Sequence, residues 1–196
     1  LVILLLSSFF FNVINIYILN FLNNTLSIIN TLYIPILQFL LPLKNQLGNK
    51  IERIPDGLSV LKKLQILIAH SNQITEIGDK AFRGAQGSLK ILDLSMNRIK
   101  ALPKKIVRLR KLQHLRLKSN LITELPDDLG KLRRMVTMDI GMNCLTTLPS
   151  NMEGFELLES LDLQRNQLAD GCITRKFERL NSLTELNLTM NLMTGK

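Results

Sequence analysis

The stretch that decides the fold is Leu112-Gln113-His114-Leu115-Arg116-Leu117-Lys118-Ser119-Asn120-Leu121-Ile122, which follows the frame L-x-x-L-x-L-x-x-N-x-L with an apolar residue at each L. The frame recurs along the chain, and its asparagines are separated by 23, 25, 23, 23, 23 and 25 residues. They are Asn49, Asn72, Asn97, Asn120, Asn143, Asn166 and Asn191. A period of this length predicts one structural unit that is repeated and stacked, so the repeat sets the architecture.

The first half of each unit predicts a short strand. We number positions from the first apolar residue of the frame, and the units begin at Leu64, Leu89, Leu112, Met135, Leu158 and Leu183. Positions 1, 4 and 6 are apolar, and the alternation at positions 4 and 6 is typical of a strand with one buried face. A single strand cannot bury that face, so neighbouring units are expected to stack into a parallel sheet. The Asn at position 9 can bond its own turn and an adjacent unit, which predicts a buried Asn ladder.

The second half of each unit has a different signature. Position 15 is Pro55, Pro103, Pro126 or Pro149, and positions 14, 18 and 21 are apolar. This spacing predicts a short helical segment on the outer side of the stack, whose start Pro fixes. The two 25-residue units lack this Pro and carry Phe82 and Phe177, so we expect them to have a longer outer arc. A coiled coil is the competing interpretation, but its period would be 7 residues.

The frame resembles the leucine-rich repeat superfamily. That resemblance implies an α/β solenoid with a curved parallel β-sheet on the concave face and short helical or extended convex segments, here incomplete at both ends. The stretches 125–132 and 141–149 are similar to the intracellular class, in particular to the Ras-suppressor and Ras–Raf scaffold families. These families are non-enzymatic adaptors that hold small-GTPase-pathway or adhesion proteins on the concave face. The segment Ile77-Gly78-Asp79 departs from this pattern, and Phe82-Arg83-Gly84 is closer to receptor-type repeats.

The sequence divides into an apolar N-terminal segment, residues 1–45, and a repeat domain, residues 46–196, of about six to seven repeats. Residues 1–43 contain no charged residue, no Gly and no Ala, and six asparagines interrupt them. Their length would suit a membrane span, although each buried amide is costly in hydrocarbon. The repeat pattern begins in the middle of a unit, because Lys44 and Gln46 stand where the frame would place the apolar residues of positions 4 and 6. This abrupt start and the composition of residues 1–43 also suit translated non-coding sequence. A gene-model artefact, a membrane anchor and another kind of cap all remain open.

Composition bounds the cellular setting. The chain has 196 residues, a net charge of +9, a pI near 9.8 and two cysteines, Cys144 and Cys172, which lie in different units. Secreted modules of this kind usually close their ends with disulfides, so the absence of a Cys cluster favours a reducing compartment. We therefore expect a cytoplasmic monomer, with a membrane-associated protein as the alternative.

The predicted binding surface is the concave face. Positions 3 and 5 point away from the core, and stacking aligns like positions in columns about 4.8 Å apart. The partner-binding residues that we predict are Ile91, Asp93, His114, Arg116, Asp139 and Asp162. Their charges form either a solvated cross-strand ladder or an acidic stripe that meets a basic patch on a partner protein. Position 8 is the next column along the chain, and it reads Ser71, Met96, Ser119, Met142, Arg165 and Met190. Its methionines are expected either to be half-buried beside the Asn turn or to contact a partner.

The positive excess lies mostly on the convex side and its return turns, at Lys62/Lys63, Arg110/Lys111, Arg133/Arg134 and nearby lysines. Basic residues at the end of a helical turn complement its dipole. Alternatively, they form a stripe for acidic lipid or an acidic protein, so membrane contact is expected only through this stripe or residues 1–43. Nucleic acid is disfavoured because the repeats carry three Phe, namely Phe82, Phe155 and Phe177, and few aromatic stacking platforms.

The sequence carries no catalytic, metal or cofactor signature. His70 and His114 lie in different units, and no Ser, Cys or Asp is placed beside either by a known motif. We therefore expect no enzyme, no metal and no cofactor.

The function that we predict is an intracellular signalling scaffold that binds protein. The alternatives are a membrane-receptor ectodomain, with a glycosylation sequon at Asn187-Leu188-Thr189, and the repeat arm of a larger kinase, phosphatase or ubiquitin ligase.

Overall fold

The structure of this chain is a computed structural model that describes residues 51–194. The predicted N-terminal segment 1–45, its boundary with the repeats and Asn49 lie outside the described residues. The repeat units from Ile51 onward fall within them.

Six short parallel strands form the main sheet, and their order in the sheet is their order in the chain. They are β2 (Ile66–Ile68), β4 (Ile91–Asp93), β5 (His114–Arg116), β6 (Thr137–Asp139), β7 (Ser160–Asp162) and β8 (Glu185–Asn187). Each residue pairs with the residue at the same position of the next unit, as Leu92 pairs with Leu115 and Leu115 with Met138. This register confirms the predicted solenoid and aligns like positions in columns.

The core lies behind the sheet and is filled by the apolar positions of the frame. Leu112, Leu115 and Leu117, at positions 1, 4 and 6 of one unit, are 0% exposed. The same three positions are buried in the units before and after it. Burying one leucine stabilises the fold by about 1.5–3 kcal/mol, and stacking repeats that gain in every unit.

The convex side is built from short 3-10 helices. They are Asp56–Val60, Gly84–Gly87, Lys104–Arg108, Asp127–Lys131, Met152–Gly154 and Arg175–Arg179. Three of them begin directly after a position-15 proline, and Pro103 is extended with φ −63° and ψ 134°. After Pro149 the helix begins three residues later, at Met152. Pro thus sets the chain direction before the helical turn in most of these units.

The 25-residue unit that begins at Leu64 carries two additional features. Its strand β3 (Glu76–Ile77) pairs in parallel with β1 (Arg53–Ile54), giving a second sheet of two strands. Its outer arc contains the buried Phe82 and the helix Gly84–Gly87. A Cβ atom at Gly84 would clash with the carbonyl oxygen of Ser59, so glycine lets this arc approach the preceding unit closely.

The position-9 asparagines are buried and bond across unit boundaries. The Nδ2 group of Asn120 donates to the Leu117 carbonyl in its own turn at 2.8 Å and to the Leu94 carbonyl of the preceding unit at 3.0 Å. Its Oδ1 atom accepts the Ile99 N–H of the preceding unit at 3.0 Å. Asn97, Asn143 and Asn166 repeat this arrangement. Each amide therefore joins two consecutive units.

Asn120→Ala is expected to destabilise the protein by about 1–3 kcal/mol. The substitution leaves the buried Ile99 N–H without its partner, whereas the Leu94 and Leu117 carbonyls each keep a bond, from Asn97 and Asn143 respectively. Urea unfolding followed by circular dichroism measures the change. Thr123→Ala, at an exposed site in the same unit, is the control and should change stability by less than about 0.5 kcal/mol. Equal stability of both variants would contradict the structural role of the amide.

Candidate functional site on the concave face

The predicted site residues occupy four adjacent strands of the main sheet. We define the concave face as the sheet face that carries positions 3 and 5. Ile91 and His114 are register partners at position 3, and Asp93 and Arg116 are partners at position 5. Asp139 and Asp162 are partners at position 5 of the next two strands. The fold therefore places all six residues on one continuous surface.

Arg116 forms an ion pair with one of its two aspartate neighbours. Its Nη1 atom lies 3.6 Å from Oδ2 of Asp93. Within residues 51–194, no salt bridge shorter than 4.0 Å joins Arg116 to Asp139. The guanidinium therefore pairs with Asp93, and within the described residues neither Asp139 nor Asp162 forms a salt bridge shorter than 4.0 Å.

Asp93 is less accessible than its predicted outward direction implied. Its relative exposure is 9%, which places it among the buried residues. Its Oδ1 atom accepts the Ser95 N–H at 3.0 Å, and Arg116 covers the other oxygen. Asp93 is therefore largely covered by Arg116 and by its own turn, and its role in partner binding stays a prediction.

Asp139 and Asp162 are register neighbours on adjacent strands, and we call these two carboxylates the acidic pair. Oδ1 of Asp139 accepts the Gly141 N–H at 3.1 Å, and Oδ1 of Asp162 accepts the Gln164 N–H at 2.9 Å. The Gln164 side-chain amide also donates to Oδ2 of Asp162 at 2.9 Å. Burial raises the pKa of Asp139 above its ordinary value, and the nearby Asp162 adds to the rise. The Gly141 N–H and Lys118 act in the opposite direction.

The same column position at the end of the sheet is filled by an amide. Oδ1 of Asn187 accepts the Thr189 N–H at 3.2 Å and the Thr189 hydroxyl at 2.8 Å. An uncharged side chain therefore serves the turn hydrogen bond that Asp139 and Asp162 also serve. An acceptor at position 5 can serve this turn without a negative charge, and the turns that follow Ile68 and Arg116 form with no acceptor at position 5.

The position-3 column is polar beyond its first strands. Nδ1 of His114 lies 2.9 Å from the hydroxyl oxygen of Thr137, its register neighbour, and both residues are half-buried. Ile66, Ile68 and Ile91 are also half-buried, so they form a partly accessible apolar patch at the N-terminal end of this face. His114 therefore lies where an apolar surface meets a polar one.

The position-8 residues have a backbone conformation that the sequence reasoning missed. Every one of them has φ between 51° and 57°, in the left-handed region that non-glycine residues rarely adopt. Met96 and Met190 are 59% and 67% exposed, and Met142 is 38% exposed. The expectation that these methionines are half-buried is wrong for this column. The fixed place of these residues directly before each ladder Asn is the sequence signal that could have predicted the positive φ, because the chain turns there into the Asn.

The described part of the chain contains no cluster of side chains that could hold a metal ion. Among residues 51–194, no group of three or more His, Cys, Asp or Glu residues could hold a metal ion. Cys144 and Cys172 are free and half-buried, and burial raises the pKa of the Cys172 thiol. In the same residues, no helix has the length and apolar character needed to cross a membrane.

The chain matches the family model described as leucine rich repeat at residues 62–122 and 110–168, which together cover more than half of its length. No curated protein sequence gives a significant match.

Solved structures give the same result at the level of the fold. A leucine-rich repeat protein of Leptospira interrogans is 34% identical over 74% of this chain, with a TM-score of 0.69. An internalin of Listeria monocytogenes is 26% identical over 74%, with a TM-score of 0.61. The ectodomain of the Arabidopsis thaliana membrane receptor kinase GASSHO1/SCHENGEN3, solved in complex with CASPARIAN STRIP INTEGRITY FACTOR 2, is 29% identical over 73%, with a TM-score of 0.59. The matches span 36%, 40% and 20% of those chains, respectively.

Asp139→Asn is expected to stabilise the protein at pH 7. Because the pKa of Asp139 is raised in the folded state, its contribution disfavours folding above that pKa and vanishes below the unfolded value, about 3.9. The Asn amide oxygen can keep the bond to the Gly141 N–H. Urea midpoints of both proteins at pH 7 and at pH 3 measure the effect, and the gap should shrink at pH 3. A variant that is less stable at pH 7 would contradict this assignment.

Proposed function

Because the chain belongs to the leucine-rich repeat family, we propose that its concave face binds a partner protein that presents Lys or Arg side chains to the acidic pair. Leucine-rich repeat domains are in general protein-interaction modules. The similar Arabidopsis ectodomain was solved in complex with CASPARIAN STRIP INTEGRITY FACTOR 2. The single observation that carries the finer proposal is the acidic pair, Asp139 and Asp162, on adjacent strands without a salt bridge to a described cation.

The acidic pair is difficult to explain by stability alone. Two carboxylates at directly opposed positions of adjacent strands repel each other. Burial adds to the cost at Asp139, where it raises the pKa. Asn187 provides the same turn hydrogen bond without this cost. A cation supplied by a partner would remove the repulsion, and displacement of water from the face would strengthen the attraction.

Neighbouring side chains suit a mixed contact around that charge. Thr137, on the same strand as Asp139, and His114, on the preceding strand, supply hydrogen-bonding groups. Met96 and Met142 directly precede the ladder residues Asn97 and Asn143, and their flexible thioether side chains are exposed. Methionine adapts to different partner shapes, and a left-handed backbone holds each one at the surface. The proposed interface therefore has a charged centre and an adaptable apolar border.

The finer cellular role that we propose is an intracellular signalling scaffold located in the cytoplasm. Its support is the Leu-Pro turn pattern at residues 125–132 and 148–149 and its resemblance to the Ras-suppressor and Ras–Raf scaffold families. A small-GTPase-pathway or adhesion protein is the partner class that this resemblance implies.

A membrane-receptor ectodomain is the second candidate, and the sequon at Asn187 favours it. The Asn187 amide oxygen is bonded to the Thr189 hydroxyl, so the sequon side chains are in contact. Expression through a secretory pathway followed by peptide-N-glycosidase treatment would test this candidate. A mass shift that Asn187→Gln abolishes would support the ectodomain, and an unmodified secreted chain would contradict it.

Asp139→Asn combined with Asp162→Asn is expected to weaken binding of basic peptides at least tenfold. The double variant keeps side chains of the same shape and removes the charge that attracts a cation. Peptides enriched by the wild-type chain from a randomised display library are the probes, and isothermal titration measures their affinity. The scaffold proposal requires that the enriched peptides carry Lys or Arg.

The matched control is Asp127→Asn combined with Asp128→Asn, which removes the same charge from the exposed convex helix Asp127–Lys131. This control should bind as tightly as the wild type. Enriched peptides without basic residues, or equal losses in both double variants, would reject the acidic pair as the binding site.

A further inference from the structure

The convex side holds a cationic cleft between two consecutive units. Its volume is about 190 Å³. Lys80 and Arg83, from the arc before the helix Gly84–Gly87, line one wall, and Lys105 and Arg108, from the helix Lys104–Arg108, line the other. Asp79 and Gln86 also line the cleft. The two walls come from units of unequal length, so the cleft has no counterpart in a simple repeat.

The charge of the cleft is largely uncompensated. Four cations face one carboxylate, that of Asp79. All four cationic side chains are exposed, and none of them forms a salt bridge shorter than 4.0 Å within the described residues. By contrast, the next unit has Asp127 and Asp128 in place of Lys104 and Lys105, and there Lys131 lies 2.7 Å from Asp128. The neighbouring helix therefore does not repeat the unpaired cations that Lys105 and Arg108 bring to the cleft.

The helix dipole accounts for only part of this charge. Lys105 and Arg108 lie in the last turn of their helix, where a cation is favourable. Arg83 is the residue before the first turn of Gly84–Gly87, where the dipole favours an anion. Its position therefore adds charge where the fold gains nothing from it.

The backbone around the cleft is firmly held. Phe82 is 5% exposed, and Ala81 and Ala85 are at most 1% exposed. The Lys80 N–H donates to Oδ1 of Asp56 at 2.7 Å, which joins the arc to the preceding unit. The cationic side chains thus extend from a fixed frame, which lowers the entropic cost of binding an anion between them.

We propose that this cleft binds a phosphorylated side chain of a partner protein. A phosphoserine carries about −1.5 to −2 charges and three strong acceptor oxygens at neutral pH. Two guanidinium groups match those oxygens with paired hydrogen bonds, and two ammonium groups add compact charge. Val60, Lys62 and Arg83 line an adjoining groove that provides room for the residues beside the phosphorylated side chain.

A membrane headgroup is the less suitable source of phosphate. Peripheral membrane surfaces insert exposed apolar side chains among their cations. In the two segments that build the cleft, residues 79–86 and 104–108, no large apolar side chain is exposed. Val60 in the adjoining groove is exposed, but it is a single apolar side chain beside four cations. The cleft lies on the opposite side of the sheet from the acidic pair, so its function does not depend on the concave-face proposal.

The test is an ¹⁵N–¹H correlation titration of the full 196-residue chain with a ten-residue peptide that contains one phosphoserine among small neutral residues. The amides of residues 79–87 and 104–108 are expected to shift, and the unphosphorylated peptide should bind at least tenfold more weakly. Arg83→Gln combined with Arg108→Gln should weaken binding of the phosphopeptide at least tenfold. Lys80→Gln combined with Lys105→Gln serves the same purpose if the first variant does not fold.

The matched control is Arg133→Gln combined with Arg134→Gln, which removes two exposed arginines from a return turn outside the cleft. It should bind the phosphopeptide within twofold of the wild type. Equal binding of both peptides, or equal losses in the two arginine variants, would overturn the proposal. So would sedimentation with phosphatidylserine vesicles by a chain that leaves the phosphopeptide unbound.

Discussion

The structure depends on the hydrogen bonds of one side-chain amide that recurs at position 9. Each strand of the main sheet is three residues long, too short to fix its own register firmly. The amide of Asn120 bonds carbonyl groups in its own turn and in the preceding unit and accepts an N–H from the preceding unit. These bonds hold the exit of each strand relative to the previous one, so that like positions remain aligned.

The columns on the concave face follow from that alignment. A turn that points an amide into the core must reverse the chain directly before it, and the position-8 residue achieves this with a positive φ. Met142 is thereby held at the surface while Asn143 is buried. Where position 5 is Asp or Asn, its side chain accepts the N–H of position 7 in the same turn, as Asp162 does for Gln164. Positions 5 and 8 therefore shape the turn and at the same time supply side chains to the concave face.

The sequence predicted those features that a periodic pattern encodes directly. Positions 1, 4 and 6 predicted the buried leucines, and the 23-residue period predicted the parallel sheet and the outer helical turns. It could not predict the choice of Arg116 between two aspartates or the burial of Asp93, because both depend on where one guanidinium packs. The sequence pattern also could not predict the cationic cleft. Arg83 lies in a 25-residue unit and Lys105 in a 23-residue unit, so their positions in the repeat do not show that they line the same cleft.

The two faces of the solenoid carry opposite chemistry for the same physical reason. A repeat protein gains its stability from buried positions that are shared by all units, so each unit is free to vary what it exposes. The acidic pair and the cationic cleft are places where this variation gathers like charge, and at Asp139 burial of the charge opposes folding. The core does not need either cluster, so each of the two proposals assigns its charge to binding: a basic partner surface at the acidic pair and a phosphorylated side chain at the cationic cleft.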